Sequence, residues 1–379
     1  MTTYSLTVTT LSPLHIGSGG PPLARGVDFV VYGKTLYVFD TTQVLDHLAG
    51  PQFDTALIDQ VMKAQNLTTF LSEETFHTHP HLVHYCLHGT SSVVELIPHL
   101  KDISGRPYIP GSSLKGALRT AIIDESLLAQ NRPVEVRQLG NQARFAGQHL
   151  ERAVVGQGEK SWLISNYDLF RSLHLADSAP ISPEHLSLSA VAVYPESERD
   201  RQALPLNIET IRAGSTFRTT LTIDDYLFGK QSRKLGFGQR RHLIENFART
   251  CRAHAQAHLE QEQAFFARQE VPMLRYFYGG LADQLARCGP GSFLLSLGWG
   301  TGWKSKTLER TIRATEGALS DIIKHYRLNR GRTPAHERDF PTTRHLMVEQ
   351  QQPVGPLGWV RIDVEVAERP ATRRMGRAG

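Results

Sequence analysis

Leu6, Val8 and Leu11 stand among threonines between Tyr4 and Ile16, a composition that reads as a strand running into Gly17-Ser18-Gly19-Gly20. Asp28 to Tyr32 and Thr35 to Asp40 repeat the strand pattern across Gly33-Lys34, which suits a hairpin. Val44, Leu45 and Leu48 then recur at helical spacing after Thr41, the expected cap, and Gly50-Pro51 stops that helix. Residues 52 to 100 are mixed and partly helical. Arg106 to Ser113 leads into a helix with Leu114, Leu118, Ala121, Ile122 and Leu128 on one face and Ser112 or Ser113 as cap. Residues 130 to 160 are polar and weakly periodic, as in an insertion or mobile loop.

From Ser172 the pattern turns to strands. Leu173 to Ala176 and Leu186 to Tyr194 come first, and Leu204 to Thr210 with Thr216 to Ile223 suggests a hairpin around Gly214. Helices are expected over roughly His242 to Cys288, a short strand over Ser292 to Leu297, and a helix after Ser305 carrying Leu308, Ile312, Leu319, Ile322 and Ile323. Gly358 to Val366 alternates as a closing strand. The second set of strands and helices restarts what the first began, so the chain reads as α+β in two tandem domains, 1–170 and 171–379.

The segment LGWGTGWKSKT, Leu297 to Thr307, lies at the predicted strand-to-helix junction. Gly298, Gly300 and Gly302 permit positive φ and close approach of another chain, Lys304 and Lys306 supply charge, and Trp299 and Trp303 offer stacking surfaces. It is neither a Walker loop nor a dinucleotide fingerprint, because Trp303 occupies the place where each would need a glycine. A tight turn that merely needs glycine is the competing reading. Lys115 and Arg119, four residues apart on a helix, share a face from which successive phosphates could be gripped.

Composition narrows the classes. Of 379 residues, 40% are hydrophobic and 21% charged, ordinary for a globular chain, while a net charge of +5 is compatible with a polyanionic partner without demanding one. Three dispersed cysteines, Cys86, Cys251 and Cys288, argue against a disulfide framework. The opening MTTYSLTVTT lacks basic and apolar signal regions and no run approaches a membrane span, so a cytoplasmic location is expected, with no membrane partner. His77, His79, His81, His84, Cys86 and His88 form the densest set of metal-ligand types, but no second pair stands nearby and no metal or other cofactor is expected. His254 and His258 lack the glutamate of a metalloprotease motif. Asp224-Asp225 reads as a strand-ending turn. His15, beside the Gly17 loop, is the one candidate general base, though no acid partner accompanies it.

Several of these stretches, in order, resemble one family. LSPLHIGSG (Leu11 to Gly19), YIPGSSLKGALRTA (Tyr108 to Ala121), LADS (Leu175 to Ser178), NIETIRAGSTF (Asn207 to Phe217) and LGWGTGWKSKT look like the RAMP superfamily of CRISPR proteins. FPTTRHL (Phe340 to Leu346) with PLGWVRI (Pro356 to Ile362) narrows the resemblance to the single-copy Csm-type subunit at the crRNA 3′ end of type III-A effector complexes. The resemblance implies two ferredoxin-like domains of the RRM type, sequence-tolerant binding of crRNA, contact with target RNA, and docking on the repeated backbone RAMP subunit and the small subunit. It also implies crRNA 3′-end maturation through separate, recruited host nucleases. Candidate RNA contacts are His15, Gly17, Ser18, Gly19, Arg25, Ser112, Ser113, Lys115, Arg119, Lys234, Gly298, Trp299, Gly300, Gly302, Trp303, Lys304, Lys306 and Arg344, with no catalytic residue. The alternative is a metal-independent RAMP endoribonuclease that cleaves repeat RNA through His15.

Overall fold

A computed structural model describes residues 1–50, 56, 59, 60, 63, 66–89, 92–156, 164–194, 205–329 and 340–367. In chain order the strands and helices are β1 (Thr2–Thr10), β2 (Leu23–Ala24), β3 (Phe29–Tyr32), β4 (Thr35–Phe39), α1 (Thr41–Ala49), α2 (Glu73–Thr78), β5 (Val83–His88), β6 (Glu95–Leu96), α3 (Gly111–Ala129) and α4 (Gln148–Val155). They continue with β7 (Leu173–Leu175), β8 (Leu186–Tyr194), β9 (Leu206–Ile211), β10 (Thr216–Ile223), α5 (Arg241–Glu245), α6 (Phe247–Arg268) and α7 (Pro272–Arg287). The last are β11 (Ser292–Ser296), α8 (Glu309–Ala314), α9 (Ala318–His325), β12 (Arg344–Glu349), β13 (Gln352–Pro356) and β14 (Trp359–Val366). The fold is mixed helix and sheet, as the sequence patterning implies.

A five-stranded antiparallel sheet, ordered β11-β14-β1-β10-β7, carries the largest core. β1 lies at its centre because Leu6 and Val8 alternate inward and are essentially fully buried, facing Phe217 and Leu221 of β10, Val360 and Ile362 of β14, and Leu114 and Leu118 of α3. A four-stranded sheet, β13-β12-β8-β9, lies beside it. A three-stranded sheet, β3-β4-β5, packs with α1 and α2 around Val30, Phe39, Val44 and Phe76, and its β3-β4 turn is the expected Gly33-Lys34 hairpin. α6 and α7 pack on Leu294, Leu346 and Trp359.

Four expectations are corrected. β1 pairs with β10 and β14, so residue 170 does not separate two sheets: the first strand is completed by the second half of the chain. The segments around Gly214 are not a hairpin, since β9 joins β8 in one sheet while β10 joins β1 and β7 in another. The turn between them is held instead by Thr10, whose Oγ1 accepts the Ser215 N–H at 2.9 Å and donates to the Arg212 carbonyl at 2.6 Å. Residues 130–160 include the helix α4. The helix expected after Ser305 begins at Glu309 and is broken by Gly317, at φ 71°, into α8 and α9.

Caps differ in detail. Asp40, not Thr41, accepts the first N–H groups of α1. α3 follows Pro110 with no cap from Ser112 or Ser113; the Gly111 N–H goes to Asp177 Oδ1 at 2.8 Å, so the LADS segment closes the helix start from a distance. Among the described residues, no helix is long and apolar enough to cross a membrane.

Candidate nucleic-acid interface

The glycine loop leaves β11 at Leu297, whose N–H donates to the Gly358 carbonyl at 2.7 Å, and it is pinned again where the Trp299 N–H donates to the His15 carbonyl at 2.8 Å. Gly298 has φ 85°, and a Cβ there would lie 2.3 Å from the His15 oxygen. The close approach that Gly298 permits is made by this chain's own backbone at the His15 carbonyl, while the residue also lines the groove described below. Gly302, at φ 81°, is different: it is exposed and nothing lies within 4 Å of a built Cβ. Thr301, Ser305 and Thr307 each donate a hydroxyl to a carbonyl three or four residues back (Gly298, Gly302 and Trp303), so the loop winds as successive turns.

Three distant segments meet there. A groove of about 420 Å³ is lined by Ile16 and Gly17, by Ser112, Ser113, Gly116, Ala117 and Thr120 of α3, and by Ser296 to Trp299, Thr301, Ser305 and Lys306. Its walls are hydroxyls, glycine backbone and half an indole face, and Lys306, exposed, is the one charged residue among them. Such an inventory suits a sugar-phosphate chain read without regard to base.

The other proposed cations are placed otherwise. Lys304 is buried against Glu262 at 2.9 Å, and Arg344 grips the same carboxylate with Nε at 2.8 Å and Nη2 at 2.9 Å while lying 4.0 Å from the Phe265 ring. Burial opposes ionisation of Glu262, but the charges of Arg344 and Lys304 outweigh it and hold its pKa well below the usual range. Burial lowers the Lys304 pKa against the pull of Glu262. The two shifts point to opposite dominant causes; the bidentate Arg344 contact keeps the carboxylate ionised and leaves Lys304 the member whose charge is most costly. Lys115 donates to the Leu173 carbonyl at 2.7 Å, and Arg119 pairs with Asp168 at 2.8 Å and Glu151 at 2.9 Å. These four cations brace the walls of the groove.

His15 is 2% exposed, its Nδ1 lies 2.6 Å from the Glu209 carbonyl, and burial lowers its pKa. It stands edge-on to Trp299 and His99, and its carbonyl accepts the Trp299 N–H of the loop. Trp299 is half-buried between His15 and His345. Trp303 packs edge-on to Phe340, and its indole nitrogen is buried with no partner among the described residues. Ser18 and Gly19 are exposed at the tip beside Gly17, and Ser18 Oγ accepts from the Gly20 N–H. Arg25, at the end of β2, and Lys234, in a turn at Lys230–Leu235, lie outside the groove lining.

Other candidates resolve simply. Asp225 pairs with Arg241 and the amino terminus. His254 and His258 are buried. His47 and His79 pack at 4.3 Å, but among the described residues no group of three or more His, Cys, Asp or Glu could hold a metal. The sequence also reads as a basic, proline-containing loop over Asn329 to Thr343 and an Arg-rich tail, ATRRMGRAG; residues 330–339 and 368–379 lie outside the described residues.

Two carboxylates were overlooked in the sequence. Glu262 sits on the buried stripe of α6 with Ala255, His258, Leu259 and Phe266, and Glu209 stands beside Ile208 in β9, with its side chain fully buried. Glu209 is wholly buried and accepts from Tyr85, Lys101 and the His99 N–H. A charge on an apolar stripe was the available signal, since such a group is kept only when paired.

A family model described as the RAMP superfamily matches residues 7–270. Curated relatives include a CRISPR system Cms protein Csm5 of Streptococcus thermophilus, 27% identical over 59% of this chain and 65% of its own, and one of Methanocaldococcus jannaschii, 25% identical over 67% and 62%. The matched part is thus under two thirds of these relatives' length. Among solved structures, a chain of a Csm-crRNA-target RNA ternary complex superposes with a TM-score of 0.65 at 22% identity, covering 96% of this chain and all of the other. Csm5 of T. onnurineus gives 0.59 at 22%, covering 93% and 99%.

Proposed function

The chain belongs to the RAMP superfamily, and from that premise we propose that it is a crRNA-binding, Csm-type subunit of a type III-A CRISPR complex. In this reading it caps the crRNA 3′ end, meets target RNA, helps the repeated backbone RAMP and small subunits assemble, and presents the 3′ end to separate nucleases. The observation that carries it is the convergence of Gly17, the first turns of α3 and the glycine loop on one groove with a single exposed lysine. Csm5 names recur among the curated relatives, and a Csm-crRNA-target RNA complex contains a chain of the same fold.

The order β14-β1-β10-β7, with α3 between β1 and β7 and α6 after β10, supports a ferredoxin-like reading of the larger sheet. The chemistry of the groove is retention without cleavage. Hydroxyls and backbone groups hydrogen-bond phosphate oxygens, Lys306 adds charge, and Trp299 offers a partial stacking face. The test is binding of single-stranded RNA to the purified chain across a salt series. Lys306→Glu is expected to weaken binding and to make the slope of log K against log salt shallower by at least the roughly 0.7 expected of one lost phosphate contact. Unchanged affinity and slope would remove the groove from the RNA path.

A further inference from the structure

Ile16 and Gly17 form one wall of the groove, past the end of β1, and a buried polar hub at Glu209 holds them. The Glu209 carboxylate accepts the His99 N–H at 2.8 Å, the Lys101 ammonium and the Tyr85 hydroxyl, and its backbone carbonyl lies 2.6 Å from His15 Nδ1. His99 passes that fixed position on. Its Nδ1 takes the Ile16 N–H at 3.1 Å, the Leu100 N–H donates to the Ile16 carbonyl at 2.8 Å, and Gly17 bridges to His99. A backbone N–H can only donate, so Nδ1 of His99 is bare and the ring hydrogen sits on Nε2. Nε2 is buried with no hydrogen-bond partner among the described residues, although the Tyr108 carbonyl is near enough to favour a proton on the ring. Burial, then His15 and Lys101, push the pKa of His99 down to about 3, so near neutral pH the ring stays an acceptor. The peptide unit between His15 and Ile16 is planar, and both of its polar ends are used: its N–H goes to His99 and its carbonyl accepts the Trp299 N–H at 2.8 Å. One rigid group therefore joins His99 to the glycine loop.

We propose that His99 is a positioning residue for RNA binding: its bare Nδ1 fixes the His15–Ile16 peptide plane, and through that plane both the Gly17 wall and the glycine loop. The proposal rests on the RNA-binding reading of the groove and adds to it a residue that touches no RNA. Ile16 is 8% exposed, so without the acceptor its N–H reaches water only if the plane tilts, and tilting moves the carbonyl that pins Trp299. Leu14 stays bridged to Ile211 in both directions, at 3.0 and 2.8 Å, so the sheets stand while the two walls of the groove shift.

Three substitutions separate positioning from mere stability. The amide oxygen of asparagine lies as far along the side chain as the imidazole Nδ1, whereas the polar end of glutamine comes to the place of Nε2. His99→Asn therefore keeps an acceptor for the Ile16 N–H, and His99→Gln and His99→Leu do not. The probe is a single-stranded oligouridylate, titrated against the full chain at neutral pH and below the Tm of every variant. His99→Gln and His99→Leu are expected to lose about tenfold in affinity with an unchanged salt slope, as when a buried donor loses its acceptor and no phosphate contact is removed. His99→Asn should stay within about threefold of the wild type. A purely structural role would lower the Tm of all three without ordering their affinities in this way. Equal affinities among the variants, or an asparagine variant that binds no better than the leucine one, overturn the positioning role and leave the groove intact. Should the variants fail to fold, the imidazole nitrogen resonances of the wild type decide. A hydrogen on Nε2 and a coupling from Nδ1 to the Ile16 amide across the hydrogen bond are expected, and a hydrogen on Nδ1 overturns the proposal. A wild type that binds no oligouridylate overturns the groove reading, and the positioning role falls with it.

Discussion

Replacing Glu262 with Gln removes the carboxylate shared by Lys304 at 2.9 Å and Arg344 at 2.8 and 2.9 Å, in a site where the three side chains are 3%, 9% and 10% exposed. Both cations would be left buried without their common partner. Breaking a buried pair from one side costs about 3–5 kcal/mol. With an unfolding entropy of roughly 2.1 cal/mol/K per residue, that corresponds to a fall in Tm on the order of 5 °C for a cooperatively melting chain of this size. The pH dependence has a definite sign. The folded-state pKa of Glu262 is depressed, so its contribution is fully present above the ordinary glutamate value of about 4.3 and is withdrawn as pH falls below it. The gap in Tm between wild type and Glu262→Gln should be constant from neutral pH to about pH 5 and close at lower pH. Paired with this, Lys304→Met should lower Tm and leave the salt slope of RNA binding unchanged, whereas Lys306→Met should leave stability within about 0.5 kcal/mol and flatten the slope by about 0.7. Thermal melts and a salt-series titration read both. A Glu262→Gln variant that melts with the wild type, or a Lys304→Met variant that flattens the slope as Lys306→Met does, would refute the assignment of Lys304 to the scaffold.

Gly298→Ala should destabilise by several kcal/mol, because its Cβ would collide with the His15 carbonyl at positive φ, while Gly302→Ala should cost only the backbone term of about 1–2 kcal/mol; equal melting of the two would contradict the close approach at Gly298. Arg119→Ala should lower Tm through loss of its Asp168 and Glu151 pairs without flattening the RNA salt slope; a flatter slope at unchanged Tm would return Arg119 to the phosphate path. Burial pushes His99 down to about 3, so stability should fall as pH drops from about 6.5 toward 3, where the unfolded chain takes a proton that the fold excludes. Removing that titration with His99→Gln should reduce the slope of Tm against pH in this window, and an unchanged slope would show that His99 is not the group responsible.

Much of the local structure was legible because each strand and helix carries its own period. The alternation in β1, the Gly33-Lys34 turn and the apolar stripe of α3 all follow from residues a few positions apart. Pairing between distant strands was not legible in this way. β9 and β10 follow each other with a glycine-containing turn between them, the local signature of a hairpin, yet Thr10 takes that turn's hydrogen bonds and sends the strands into different sheets. The site shows the same division. The three loops that meet at the groove were recognisable from glycine, serine and lysine content, but charge alone could not tell Lys306, exposed, from Lys304 two residues away. That difference depends on Glu262, some forty positions earlier on α6, and on Arg344, forty positions later on β12.

The placement of buried charge at the base of the loop has a mechanical consequence for binding. A glycine-rich segment left free would lose backbone entropy of about 1–2 kcal/mol per residue on closing around a strand, and a loop of this length would forfeit most of the binding energy that one lysine and a few hydroxyls can supply. Here the loop is fastened at both ends before any ligand arrives, at Leu297 and Trp299 by the carbonyls of Gly358 and His15, and at Lys304 by Glu262. The cations that brace it do not touch the groove, and the glycine whose freedom matters most, Gly298, spends that freedom on a contact within the chain. A groove with so few charges can therefore hold a polymer only if it is preorganised, and loosening the brace should weaken RNA binding through the loop's disorder even where no RNA-facing atom has changed. Glu262→Gln measured at a temperature well below its own Tm isolates that effect: reduced affinity with an unaltered salt slope is the expected result, and full wild-type affinity would mean that the loop's order does not depend on the triad.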